Sequence, residues 1–207
     1  VMTLDPNDLL LYAGALLILF LTPGPVLVAL TARGLSGGFH AAWPLALGVA
    51  VGDIVWPLIA ILGISWILSV FDTFMIVLRW IACGVFIAMG WALIRHAGRA
   101  ISNDSRLTRP GMWAGFLAGI AAILGNPKAV LFYMGVLPGF FDLRTVTTID
   151  IFIILSISVA VPFVGNLVLA GCVGQIRVLL SSTTLLKKFN IGSGVLLILV
   201  GLVIAVF

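Results

Sequence analysis

The sequence predicts an all-α integral membrane protein: six transmembrane helices arranged as an inverted three-plus-three repeat, with helices one and four broken. Composition is the first reason. Of 207 residues, 62% are hydrophobic and 9% charged, whereas a soluble domain carries about 25% charged residues; mean hydropathy is +1.30. The second is length, since six stretches approach or exceed the ~20 apolar residues a helix needs to cross a bilayer. The third is spacing. One polar stretch of any length, His96–Pro110, divides those six into three and three.

In order, the spans run Leu9–Ala32, Ala41–Leu62, Phe74–Ile94, Gly111–Val136, Ile149–Val173 and Phe189–Phe207. The first is read as a span and not as a signal peptide, because the first ten residues hold Asp5 and Asp8 and no Lys or Arg, the wrong charge for a leader. Arg33 lies in the first loop. Arg95, Arg99, Arg106 and Arg109 lie in the third, and Arg177, Lys187 and Lys188 around the fifth. This bias makes the odd loops cytoplasmic and puts both termini outside. The net charge of +4 is thereby accounted for without nucleic acid. The chain divides into a first three-helix repeat over 1–95, a cytoplasmic linker over 96–110 and a second, inverted repeat over 111–207.

An odd number of spans per half inverts one half relative to the other, a plan common among secondary transporters. Two motif pairs support it. Thr22-Pro23-Gly24-Pro25 in span one matches Gly125-Asn126-Pro127-Lys128 in span four. Gly52-Asp53, closing LGVAVGD, matches Gly165-Asn166, closing AVPFVGN. The second pair is offset further than the first, which a longer fourth loop accommodates.

Proline inside a helix removes a backbone hydrogen bond and clashes with the carbonyl four residues earlier. In lipid, the freed groups persist only where protein or a wet cavity satisfies them. A break also creates a helix amino terminus that attracts an anion, so two opposed breaks make a seat for a carboxylate; a packing kink is the plainer alternative. Asp53 is the one carboxylate placed deep in a span. A charge there costs at least ~2.5 kcal/mol, which makes it a functional candidate by default and suits a proton-coupling role. Lys128 lies at similar depth, and either pairs with Asp53 or makes a separate contact to a zwitterion. Asn166, at the repeat position of Asp53, offers a neutral hydrogen bond.

Other features read as packing. Gly48-x-x-x-Gly52 and Gly111-x-x-x-Gly115-x-x-x-Gly119 let helix backbones approach closely, with contact between copies a further option. Cys83 and Cys172 read as small apolar packing residues, with neither disulfide nor metal spacing. Trp43, Trp66 and Trp113 fall near span ends and fit interface belts. Arg79 snorkels from the third span.

FLTPGP (Phe20–Pro25), LGVAVGD (Leu47–Asp53), GNPKAVLFYMGVLPGFF (Gly125–Phe141) and LLKKFNIGSG (Leu185–Gly194) together resemble the LysE/RhtB family of amino-acid exporters. They run from end to end of the chain in the right order, and NPKA-x-x-F followed by LP-x-F is the most specific element. The resemblance implies a bacterial inner-membrane exporter of amino acids or close derivatives, driven by the proton gradient. It carries Pro23, Gly24 and Pro25 over as the first-half motif and Asn126, Pro127 and Lys128 as the second. Val26 departs from the polar residue that many members have directly after PGP, so a side-chain specificity does not transfer.

The expectation is therefore a secondary transporter with a midplane site: Thr22, Pro23, Gly24, Pro25, Asn126, Pro127, Lys128 and Asn166 for substrate and Asp53 for proton coupling. Its partners are a small amino-acid substrate, protons and the lipid bilayer. No cofactor, metal or catalytic residue is implied, since no buried His, nucleophile–base pair or paired carboxylates occur. The alternatives are a metal-cation exporter, which would have only Asp53, Asn126 and Asn166 as deep ligands, a membrane enzyme, and a non-transporting assembly protein built on the glycine faces.

Overall fold

A computed structural model describes residues 3–22, 24–68, 74–95, 97, 111–172 and 182–206. Pro23, Arg177 and all of the 96–110 linker except Ala97 lie outside them, as do the side chains of Trp66 and Arg79. Every described element is helical: α1 (Pro6–Leu21), α2 (Pro25–Gly52), α3 (Val55–Leu68), α4 (Phe74–Arg95), α5 (Met112–Leu124), α6 (Pro127–Leu131), a π-helical turn (Phe132–Val136), α7 (Leu137–Phe140), α8 (Thr148–Gly171) and α9 (Thr183–Val206).

Proline decides where these helices start and stop. Asp5 caps α1 by accepting from the Asn7 N–H at 2.8 Å, with Pro6 in the first turn. The residue before a proline is pushed out of the helical region. Thr22, Gly24 and Asn126, each followed by proline, are accordingly extended. Thr22 thereby ends α1, Gly24 caps α2 and Asn126 caps α6, so the two breaks are built alike. A third break follows Asp53, whose carbonyl would clash with the ring of Pro57 in a continuous helix. Within α2 the backbone is non-helical at Gly37 and Gly38, and Gly38 has φ +67°, a conformation glycine adopts without strain.

Pro25–Gly63, counted through its kinks, and Thr148–Gly171 are long and apolar enough to cross a membrane. Met112–Leu124 and Pro127–Phe140, bent by 49°, pass the same test as one broken span. At 39 residues, Pro25–Gly63 is far longer than one ~30 Å crossing requires, and the Gly37–Gly38 kink falls between spans one and two of the sequence reading. The fourth span reaches Phe140 instead of ending at Val136, and the last helix starts at Thr183, ahead of Phe189.

α2 packs on α5 and on α8, α1 on α8, and α4 on α9. Glycine makes the closest contacts. A Cβ added to Gly48 would sit 2.0 Å from the Phe116 carbonyl oxygen, and one on Gly119 2.1 Å from that of Leu45. Gly90 and Gly194 stand in the same relation across α4 and α9. Two sequence expectations need correction. Gly111 faces open space at φ +108°, so it caps α5 and makes no close approach. Cys172 is exposed at the end of α8, whereas Cys83 is buried as expected.

At the other end, α8 begins with a capping box between Thr147 and Asp150. Asp150 also accepts from the Thr3 N–H at 3.0 Å and the Thr3 hydroxyl at 2.7 Å. The amino-terminal segment is thus tied to the start of α8, and this fixes α1 alongside it.

Candidate functional site

The breaks converge. Thr22, Val26, Asp53, Asn126, Lys128, Tyr133 and Asn166 line one cavity. Residues predicted from both halves of the chain therefore meet, including both members of each motif pair, Thr22 with Asn126 and Asp53 with Asn166. Gly24 abuts Lys128 and belongs to the same site. The remaining wall is apolar, from Leu16, Leu19 and Phe20 on α1, Leu27 and Val49 on α2, and Pro162 and Leu169 on α8.

Each polar side chain here is held in place for a local reason. Asp53 directly follows Gly52, which has no room for a Cβ against Ile123, so the α2–α5 packing fixes its position. The Trp56 indole N–H, one turn further, donates to the Ile123 carbonyl at 3.3 Å. Asn126 follows the last turn of α5. Asn166 follows Gly165, against which the ring of Phe20 packs closely.

Lys128 departs from expectation. Its ammonium donates to the carbonyls of Leu19, at 2.7 Å, and Thr22. These lie at the carboxyl end of α1, where the carbonyls run out of partners four residues on and carry partial negative charge. Lys128 and Asp53 form no direct ion pair; the ammonium is held by the end of α1 instead. Gly24 makes this reach possible, because a Cβ there would stand 2.9 Å from Lys128 Cε. Thr22 also differs from expectation: its hydroxyl donates to the Ile18 carbonyl at 2.8 Å, which commits its proton to its own helix.

Three oxygens stand out. Asp53 Oδ2, Asn126 Oδ1 and Asn166 Oδ1 are buried without a hydrogen-bond partner. Their residues are 2%, 2% and 1% exposed, and each such group costs about 1–3 kcal/mol if left unsatisfied. All three belong to residues on the wall of the same cavity.

Sequence reasoning missed a second group beside them. Tyr12 and Ser158, both 0% exposed, meet at 2.6 Å between Oη and Oγ. Tyr133, buried on the π-helical turn, shares the cavity wall with Asp53. No signal marked them: the two tyrosines of the chain each lie three residues inside an end of a span in the sequence reading, where an interface-belt position is the ordinary expectation.

Broken apolar helices closing on a chamber of unsatisfied polar atoms define a polytopic α-helical membrane protein with an internal polar site. The chain belongs to the LysE type translocator family, whose sequence profile matches residues 17–206. It is 31% identical over 156 residues, 74% of each chain, to an uncharacterized membrane protein of a Synechocystis strain. It is 33% identical over 129 residues to a chemotactic transduction protein of Pseudomonas aeruginosa, covering 60% of this chain and 62% of that one. A leucine efflux protein of Klebsiella pneumoniae is 25% identical over 168 residues, 80% of this chain and 79% of the relative. No solved structure matches the chain significantly.

Proposed function

We propose that this chain is a secondary transporter, not an enzyme, that exports amino acids or close derivatives across the bacterial inner membrane in exchange for protons. The observation that carries this reading is the trio of buried, unpartnered oxygens on Asp53, Asn126 and Asn166. An α-ammonium group brings three N–H donors in tetrahedral array, as a lysine ammonium does, and Asp53 supplies its counter-charge. The substrate carboxylate lies toward the start of α2. There the N–H groups of Val26 and Leu27 precede the first helical bond, Val28 N–H to the Gly24 carbonyl, at the positive end of the helix dipole. Lys128 flanks that end. The apolar wall receives an aliphatic side chain, and likeness to leucine efflux proteins supports a neutral, leucine-like substrate.

The inverted repeat belongs to the same proposal. Under it, the packing of span two on span four has its image in span five on span one, and span three on span six is its own image. The contacts of α2 with α5, of α8 with α1 and α2, and of α4 with α9 follow that pattern, with six spans and both termini outside. In this cycle Asp53 holds the substrate ammonium on one side of the membrane and a proton on the other.

Counterflow tests the reading. Proteoliposomes loaded with unlabelled L-leucine and diluted into a trace of labelled L-leucine are expected to show a transient overshoot of internal label. A trace no higher than that of protein-free liposomes, for leucine and for every other neutral amino acid tried, would contradict it.

A further inference from the structure

We propose that Arg33 is the latch that closes the cavity toward the face at which α5 begins, cytoplasmic in the proposed orientation. The inference rests on the transport reading and adds which contact must break for a substrate to enter from that side.

A basic residue that served only to orient the chain would reach water. Arg33 does not. It is 2% exposed and lies within α2, not in a loop. Its guanidinium, a rigid fork of five N–H donors, is directed at backbone carbonyls. Nε donates to the Ala41 carbonyl at 2.7 Å, and Nη2 donates to the Gly111 carbonyl. Ala41 lies beyond the Gly37–Gly38 kink, in the second half of α2, and Gly111 is the N-cap of α5. One side chain on the first half of α2 therefore grips the starts of two other helical segments.

Glycines make room for this grip. A Cβ on Gly37 would stand 2.7 Å from that of Ala41, so the chain folds back closely at the kink and brings the Ala41 carbonyl to Arg33. On α5, a Cβ on Gly115 would stand 2.7 Å from Arg33 Nε and 2.9 Å from Cζ. Gly115 leaves the space that the guanidinium fills, whereas Gly119, next in the same series, meets the backbone of α2.

The three segments that Arg33 joins all lead to the cavity, whose wall includes Val26, Asp53 and Asn126. At 1.5 Å per residue along a helix, Arg33 lies about 10 Å from Val26, Ala41 about 18 Å from Asp53 and Gly111 about 22 Å from Asn126. The tie thus stands clear of the substrate groups, at the far ends of segments whose near ends form the wall. It also crosses between two pairs of helices. The second half of α2 and α5 meet through Gly48 and Gly119, while α1 is bound to α8 through Thr3–Asp150 and Tyr12–Ser158. Arg33, on the segment that follows α1 past the break, links the first pair to the second. Both of these acceptors are neutral carbonyls, which hold a guanidinium less firmly than a carboxylate does, as suits a contact made and broken in each cycle.

The test reads access to the cavity without substrate. Val26→Cys, on the cavity wall, is placed in a Cys83→Ala, Cys172→Ser background. It is labelled with a small membrane-impermeant methanethiosulfonate from either face, in right-side-out and inside-out vesicles. Arg33→Lys keeps the charge but replaces the fork by a point donor that cannot hold both carbonyls. Labelling from the face at which α5 begins is expected to rise by about tenfold, the factor that one hydrogen bond from a charged group represents. Labelling from the opposite face is expected not to rise. Gly115→Ala leaves Arg33 in place and displaces its guanidinium, so the same result is expected there, and it decides the matter should Arg33→Lys not reach the membrane. An equal rise from both faces would make Arg33 a structural brace and overturn the inference. So would unchanged labelling from the α5 face in either variant. If the unaltered protein shows no counterflow with any amino acid, the transport reading fails, while the labelling still decides whether Arg33 closes this face.

Discussion

Asp53→Asn is expected to abolish accumulation of substrate against its gradient while leaving part of the exchange. The substitution keeps the size of the side chain and an acceptor oxygen but removes the one carboxylate on the cavity wall. The magnitudes set the size of the effect. One pH unit is worth about 1.4 kcal/mol per proton, and a membrane potential of 100 mV adds about 2.3 kcal/mol per charge moved. A tenfold substrate gradient costs about 1.4 kcal/mol. A single titrating carboxylate thus supports about tenfold accumulation per unit of pH gradient, and Asp53→Asn should bring that ratio to one. Proteoliposomes with an imposed pH gradient measure it; accumulation at the wild-type ratio would remove Asp53 from the coupling step.

The second large effect is expected at Gly119. Its missing Cβ would stand 2.1 Å from the Leu45 carbonyl oxygen and 2.9 Å from the Val49 nitrogen. Both are backbone atoms of α2, so no side-chain rotation relieves the overlap and the helices must separate. Forcing extra carbon into a packed contact costs about 1–3 kcal/mol, and Gly119→Val belongs at or beyond the upper end. Separation would also displace Asp53 from Asn126, because they follow the ends of α2 and α5. Thermal unfolding in detergent should show a midpoint lowered by several degrees and loss of substrate protection. Gly14→Ala is the control: a Cβ there meets nothing within 4 Å, and leaving glycine in a helix gains about 0.5–1 kcal/mol. Equal midpoints for Gly119→Val and the unaltered protein would contradict the packing described.

What was legible in the sequence follows from the range of each effect. The helix breaks were legible because proline acts on its own residue and its immediate neighbours, so Thr22-Pro23-Gly24-Pro25 and Asn126-Pro127 announce themselves. Asp53 was legible because a carboxylate in an apolar run is costly wherever the chain folds. The partner of Lys128 was not, since the carbonyls of Leu19 and Thr22 carry no more sequence signal than any others. They become acceptors only because the break exposes them and the fold brings α6 alongside. The glycine pattern identified α5 as a packing helix but could not tell that Gly111 faces away, which depends on where the helix begins. The Tyr12–Ser158 contact was illegible because its members lie far apart in the chain. The π-helical turn that carries Tyr133 was illegible because it reflects a small difference in hydrogen-bond register with no residue type to mark it.

The central claim is that the chamber where the breaks meet receives an amino acid through its ammonium and carboxylate groups together. Thermal unfolding of the purified protein with L-leucine, leucinamide (no carboxylate) and 4-methylpentanoate (no ammonium) tests this directly. A ligand at 100 times its Kd stabilises by about 2.7 kcal/mol, and about 1 kcal/mol moves the midpoint of a chain this long by roughly 2–4 °C. L-Leucine, or another neutral amino acid, is therefore expected to raise the midpoint by about 5 °C or more, the two analogues to raise it far less, and Asn126→Ala with Asn166→Ala to lose the shift. An unchanged midpoint with every α-amino acid, or a full shift in the doubly substituted protein, would contradict the account.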